Sequence, residues 1–137
     1  YSGPLAATML ADQGAQVIKV ESLEGDTSRM IGPAKGDLSA TYIAANRGKR
    51  SLAMDLKQSA AKAILLQLIT KADVLINNFR PGVMDRLGLS DAVLVQTNPR
   101  LIRLSITGFG SQGDAAQEKV YDAVIQAVAG VAATQRS

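Results

Sequence analysis

Residues 73–79 read DVLINNF, and the three consecutive apolar residues Val74, Leu75 and Ile76 constrain the fold more than any other stretch. A run this short and continuous marks a strand covered on both faces, as in a parallel sheet flanked by helices. QVIKVE (16–21), SLAMDL (51–56) and RLIRLSITGFG (100–110) are further strand-type runs. Helical patterns lie between them. SAAKAILLQLITKA (59–72) carries Ala63, Leu66 and Ile69, with Ala60 and Leu65 beside them, as an apolar stripe. LAATMLADQ (5–13) puts Leu5 and Met9, with Ala6 and Leu10, on one face; it is entered through Gly3 and Pro4 and stopped by Gly14. GVMDRLG and SDAVLVQTN are two short helices, the second capped by Ser90, and a final helix starts near Tyr121. The alternation predicts one α/β domain with a Rossmann-like, parallel-rich sheet, strands near 16–21, 51–56, 73–77 and 101–107, and helices on both faces. Residues 22–50 read as a long surface loop with a helical turn at 42–46.

Inside and just after that loop, NRGKRSLAMDLK (46–57) gathers Arg47, Lys49, Arg50 and Lys57. The net charge of the 137 residues is only +3, too mild for a nucleic-acid binder, so any anion site must be local. A solvated turn is the plainer reading of the same residues. The chain has no histidine and no cysteine, which removes the commonest general base and every thiolate metal site. No apolar run is long enough to cross a bilayer and no signal peptide is visible, so the expectation is a cytoplasmic protein with no membrane or nucleic-acid partner and no metal. Neither GxGxxG after a strand nor GxxxxGK[ST] occurs.

In open α/β sheets ligands bind beyond the carboxyl ends of the strands. Those ends carry Lys57, then Asn77, Asn78, Phe79, Arg80 and Arg86, then Gly108–Phe109–Gly110, Lys119 and Tyr121. Cations, amides and two aromatics suit a ligand with several phosphates and a flat ring. Each also has a structural reading. The GFG segment serves as a strand-ending turn, the two asparagines as partners for strand-end backbone groups, and Phe79 as core.

The motifs add up in order: GP-x5-LAD-x-GA-x-VIKVE, GD-x2-R, NRGKRS-x4-DLK, ADVLI-x-NFRPGVMDRLGL, NPRLI-x3-I-x-GFG-x2-G and YDAVIQA-x-AG. Together, from Gly3 to Gly130, the sequence resembles the family III CoA-transferases, which include formyl-CoA:oxalate and carnitine CoA-transferases and the α-methylacyl-CoA racemases. The resemblance implies an α/β enzyme acting on acyl-CoA thioesters, with CoA as substrate, built as an interlocked homodimer. An aspartate attacks the acyl-CoA to form a mixed anhydride. CoA thiolate converts it to an aspartyl-CoA thioester and releases the acid, and an acceptor acid then exchanges.

Carried over by motif, Lys57 falls near the nucleotide phosphates. Asn78 and Phe79 line the CoA groove, Arg86 and Leu87 flank the adenosine end, and Lys119 and Tyr121 stand at the pantetheine and reaction end. Tyr1 borders the acyl group. The resemblance places a first strand ahead of Gly3, and the nucleophilic aspartate and a second domain beyond Ser137. Asp122 is not that nucleophile. The expectation is therefore the N-terminal part of the CoA-binding large domain, incomplete relative to the family, with no catalytic residue of its own. Two alternatives stand beside it. One is a non-catalytic binding or assembly module that reuses this half-domain. The other is the racemase branch, which carries a histidine where this chain has Tyr121.

Overall fold

The computed structural model describes residues 1–36, 38–118 and 120–134. Helix α1 (Ser2–Asp12) leads into strand β1 (Val17–Glu21), a 3-10 turn (Thr27–Met30), and a short antiparallel pair, β2 (Ala34–Lys35) and β3 (Leu38–Ser39). Helix α2 (Ala40–Asn46), strand β4 (Lys49–Ala53), helix α3 (Ser59–Ile69) and strand β5 (Val74–Asn77) follow. Then come α4 (Val83–Arg86), α5 (Asp91–Thr97), β6 (Ile102–Ser105), a second 3-10 turn (Asp114–Gln117), α6 (Asp122–Val128) and α7 (Val131–Thr134).

The four main strands pair in parallel, as the alternation predicts, but among the described residues they do not join into the one sheet expected. They form two separate pairs: β1 with β4, in register from Val17↔Lys49 to Glu21↔Ala53, and β5 with β6, from Val74↔Ile102 to Asn77↔Ser105. The core gathers between them and the helices. Met54, Leu65, Ile69, Leu89, Leu94 and Leu101 are buried, with Leu52, Leu66, Leu75 and Leu87 among the residues packed around them. Asn98 closes this layer by donating to Ile69 O at 2.9 Å and Ala72 O at 2.8 Å. Ile69 O also accepts from Ala72 N–H at 3.2 Å, so Asn98 adds a second bond at the end of α3.

Several details depart from the sequence reading. Leu5, Met9 and Leu10 of α1 are exposed, and the buried residues of this helix are Gly3 and Thr8. The small face wins because α1 lies close against α2, where Thr8 Oγ1 donates to Ala45 O at 2.6 Å. On α3 the inward residues are Leu65 and Ile69, while Ala60 and Ala63 face out. Strand β4 starts at Lys49, ahead of the expected residue 51, and its end leaves Met54 free for the core. The expected loop 22–50 holds a 3-10 turn, the β2–β3 pair and α2. Ser90 caps α5 as expected, accepting from Val93 N–H at 3.4 Å, and Gly14 ends α1 with φ +97°.

Candidate functional site

Two hollows flank the first turn of α1. The larger, about 240 Å³, opens at the carboxyl ends of β5 and β6 and is lined by Asn78, Phe79, Arg80, Ile106, Thr107 and Gly108, among others. Gly108 makes room for it. A Cβ there would lie 2.1 Å from Val120 Cγ2, so no larger residue fits without a shift. Phe79 leaves 43% of its surface open, so it is not a core side chain. The smaller cavity, about 100 Å³, is lined by Tyr1, Pro4, Asp26, Thr27, Ser28, Ile31 and Ala45.

A charged network stands behind the smaller cavity. Glu21, at the end of β1, is buried. It accepts from Asp26 N–H at 2.9 Å, from Arg29 Nη2 at 3.1 Å and from Ser51 Oγ. Burial works against its charge, but the hydrogen bonds from Ser51 and Arg29 win and hold its carboxyl below the usual range. Asp26 caps the 3-10 turn by accepting from Ser28 N–H at 2.8 Å and forms an ion pair with Lys19. Burial raises its pKa, yet the Lys19 and Ser28 hydrogen bonds outweigh that and bring it to about 2. The Arg29 guanidinium lies 3.9 Å from the Tyr42 ring centroid. This is the physical content of the GD-x2-R motif: a capped turn whose arginine is locked onto the end of the first strand.

The NRGKR segment divides its cations. Arg47 pairs with Asp12 and Arg50 is exposed. Lys49 turns inward, where Nζ donates to Pro4 O at 2.6 Å, Ala45 O at 2.7 Å and Asn46 Oδ1 at 3.2 Å. Burial and repulsion from Lys19, partly offset by Asp26, bring its pKa down to about 8. Neither the solvated turn nor a ligand site accounts for Lys49. It staples α1 to α2 behind the cavity that Tyr1 borders.

Of the residues singled out in the sequence, the larger groove brings together Asn78 and Phe79, with Arg80 and Gly108–Phe109. Lys57 is exposed in the turn after β4, its N–H held by Asp55 Oδ1 at 3.0 Å. Arg86 folds over Gly82, its Nη1 3.3 Å from where a Cβ there would stand. Leu87 packs against the core, and Tyr121 is exposed at the start of α6. None of these four lines the groove. Lys119 lies outside the described residues. The network of Lys19, Glu21, Asp26 and Arg29 was not singled out as a unit. Its sequence signals are the GD-x2-R motif, which supplies Asp26 and Arg29, and the charges Lys19 and Glu21 at alternate positions of an otherwise apolar strand.

Parallel strand pairs with a groove at the carboxyl ends of β5 and β6, and a second cavity beside α1, define an α/β domain with two hollows. Comparison with known proteins gives its kind. The chain belongs to CoA-transferase family III, whose sequence model matches residues 1–137. It is 47% identical over 131 residues to the acetyl-CoA:oxalate CoA-transferase of Acetobacter aceti, covering 95% of this chain and 34% of the relative. It is 46% identical over 137 residues to the succinate–glutarate CoA-transferase of Agrobacterium fabrum, covering 94% and 34%. Among solved structures, a CAIB/BAIF family protein from Brucella suis superposes with a TM-score of 0.88 at 41% identity, over 93% of this chain and 35% of that one. Rv3272 from Mycobacterium tuberculosis gives 0.88 at 39% identity, over 98% and 37%. The chain thus spans about a third of the length of the curated relatives it matches. Among the described residues, no helix is long and apolar enough to cross a membrane.

Proposed function

We propose that this chain contributes the CoA-binding part of an enzyme that moves CoA between an acyl-CoA thioester and a carboxylic acid. The observation that carries the reading is the groove at the carboxyl ends of β5 and β6, where Phe79 and Arg80 stand side by side in a chain of this family. An aromatic face and a guanidinium suit the adenine ring and the phosphates of one ligand. Several relatives are named for oxalate, succinate, glutarate or malate, which favours a short dicarboxylic acid as acceptor, while another is named a probable fatty acyl-CoA transferase. Lys57 and Arg86 lie outside the groove wall and reach a bound nucleotide only by extending their flexible side chains over its rim. Lys119 and Tyr121 act toward the thioester end, and the working enzyme is a cytoplasmic homodimer.

Calorimetric titration of the chain with CoA tests this. Binding should be weak and should fall steeply with salt, because the phosphate contacts are exposed and screened. Arg80→Ala and Lys57→Ala should each weaken it by about 1 kcal/mol or less. Lys71→Ala, in the turn just past α3, should not. No heat with CoA at low salt in a folded sample overturns the reading.

A further inference from the structure

Helix α1 begins without a cap of its own. Tyr1 precedes it and makes no side-chain capping bond. Pro4 has no N–H to satisfy, and Leu5 N–H already reaches Tyr1 O at 3.0 Å. A first-turn donor with no helical partner is Gly3 N–H, on a buried residue, and its acceptor comes from 75 residues away: Asn78 Oδ1, at a long 3.5 Å. The same carboxamide donates through Nδ2 to Ile106 O at 2.7 Å. Glycine at position 3 permits this approach, since a Cβ there would stand 3.1 Å from Asn78 Cβ. The preceding residue does a different job. Asn77 Oδ1 accepts from Phe79 N–H at 3.3 Å and Ser105 Oγ at 3.2 Å, which braces the ends of its own strand pair.

Tyr1 and Pro4 are wall residues of the smaller cavity, and Asn78 and Ile106 are wall residues of the larger groove. One side-chain amide therefore joins the wall of one hollow to the wall of the other. We propose that Asn78 is a positioning residue. Its carboxamide fixes the first turn of α1 against the end of β6 and so sets the orientation of the Tyr1 cavity relative to the Phe79 groove. Its donor and acceptor are engaged in holding the fold, so its effect on a ligand is exerted through Gly3 and Ile106. The functional half of this proposal rests on the groove taking CoA; the structural half does not.

Amide exchange and CoA titration of the 137-residue chain separate the two halves. In ligand-free Asn78→Ala, exchange at Gly3 N–H should rise about threefold, the loss of one long hydrogen bond. Asn78→Ala and Gly3→Ala should weaken CoA binding to a similar degree. The double variant should be no weaker than the worse single one, because both break the same link. Ile69→Ala, which loosens the core without touching either hollow, should leave the affinity of the folded chain unchanged. Gly3 exchange unaltered in Asn78→Ala overturns the proposal, and so do additive losses of affinity in the double variant. Should Asn78→Ala fail to fold, Asn78→Asp serves. It keeps the size and the acceptor but sets an anion against Ile106 O, and unchanged amide shifts over residues 106–108 would then overturn the link. If the unaltered chain binds no CoA, the functional reading falls, and Gly3 exchange alone still supports or overturns the positioning of α1 by Asn78.

Discussion

Replacing Asp26 by Asn tests the charged network behind the Tyr1 cavity. Asp26 caps the 3-10 turn and neutralises Lys19, whose side chain is only 12% exposed. Holding a carboxyl at about 2 when its ordinary value is 3.8 corresponds to about 2.5 kcal/mol of stability at neutral pH. The Asp26 side chain retains 19% of its surface, so screening trims the expected loss to about 2 kcal/mol. For a chain of 137 residues that is a fall in Tm of about 6 °C. Because the folded pKa is the lower one, the contribution is complete above the unfolded value and disappears as pH falls through the folded value. By pH 3 about half of it should be gone. Urea unfolding followed by far-UV circular dichroism at pH 7 and pH 3 measures both quantities. A variant within about 0.5 kcal/mol of the parent at pH 7, or a gap that does not narrow at pH 3, would refute the assignment of that stability to the buried charge.

Lys49 runs the other way. Its folded pKa of about 8 lies below the ordinary 10.5, so the parent chain should gain stability between pH 8 and 10, and Lys49→Met should abolish that gain in the same unfolding assay. Ile69→Ala, at a side chain only 2% exposed, should cost about 3 kcal/mol by urea denaturation. Gly108→Ala drives a methyl into Val120 and should displace that wall of the groove, so calorimetry should find CoA binding lost while the far-UV spectrum is kept.

The parallel α/β class was legible because strand and helix patterns alternate, and the family was legible because its motifs keep their order. Burial direction was harder. The Leu5/Met9/Leu10 face of α1 looks like a core stripe, but a helix that packs by close approach buries its small residues, and Thr8 with Gly3 does so here. Lys49 could not be read either. A lysine between Arg47 and Arg50 gives no local sign that its ammonium will find three oxygens between two helices. Phe79 and Arg80 were legible because they follow a strand directly. Arg86 and Leu87 lie a full turn farther on, where the short helix α4 and the core decide their direction.

The two strand pairs also bear on how the molecule comes together in time. Val17 and Lys49 are 32 residues apart, and Val74 and Ile102 are 28 apart (49 − 17 and 102 − 74), so each pair closes a loop of nearly the same length. The entropy of closure differs little between them, and neither gains kinetic precedence from topology. Each is a strand–helix–strand unit, and the two share one core with α3. The link from Gly3 to Asn78 spans 75 residues and can form only once both units stand. Substitutions at those two positions should therefore leave the folding rate nearly untouched and speed unfolding, the kinetic signature of a joint made after the parts.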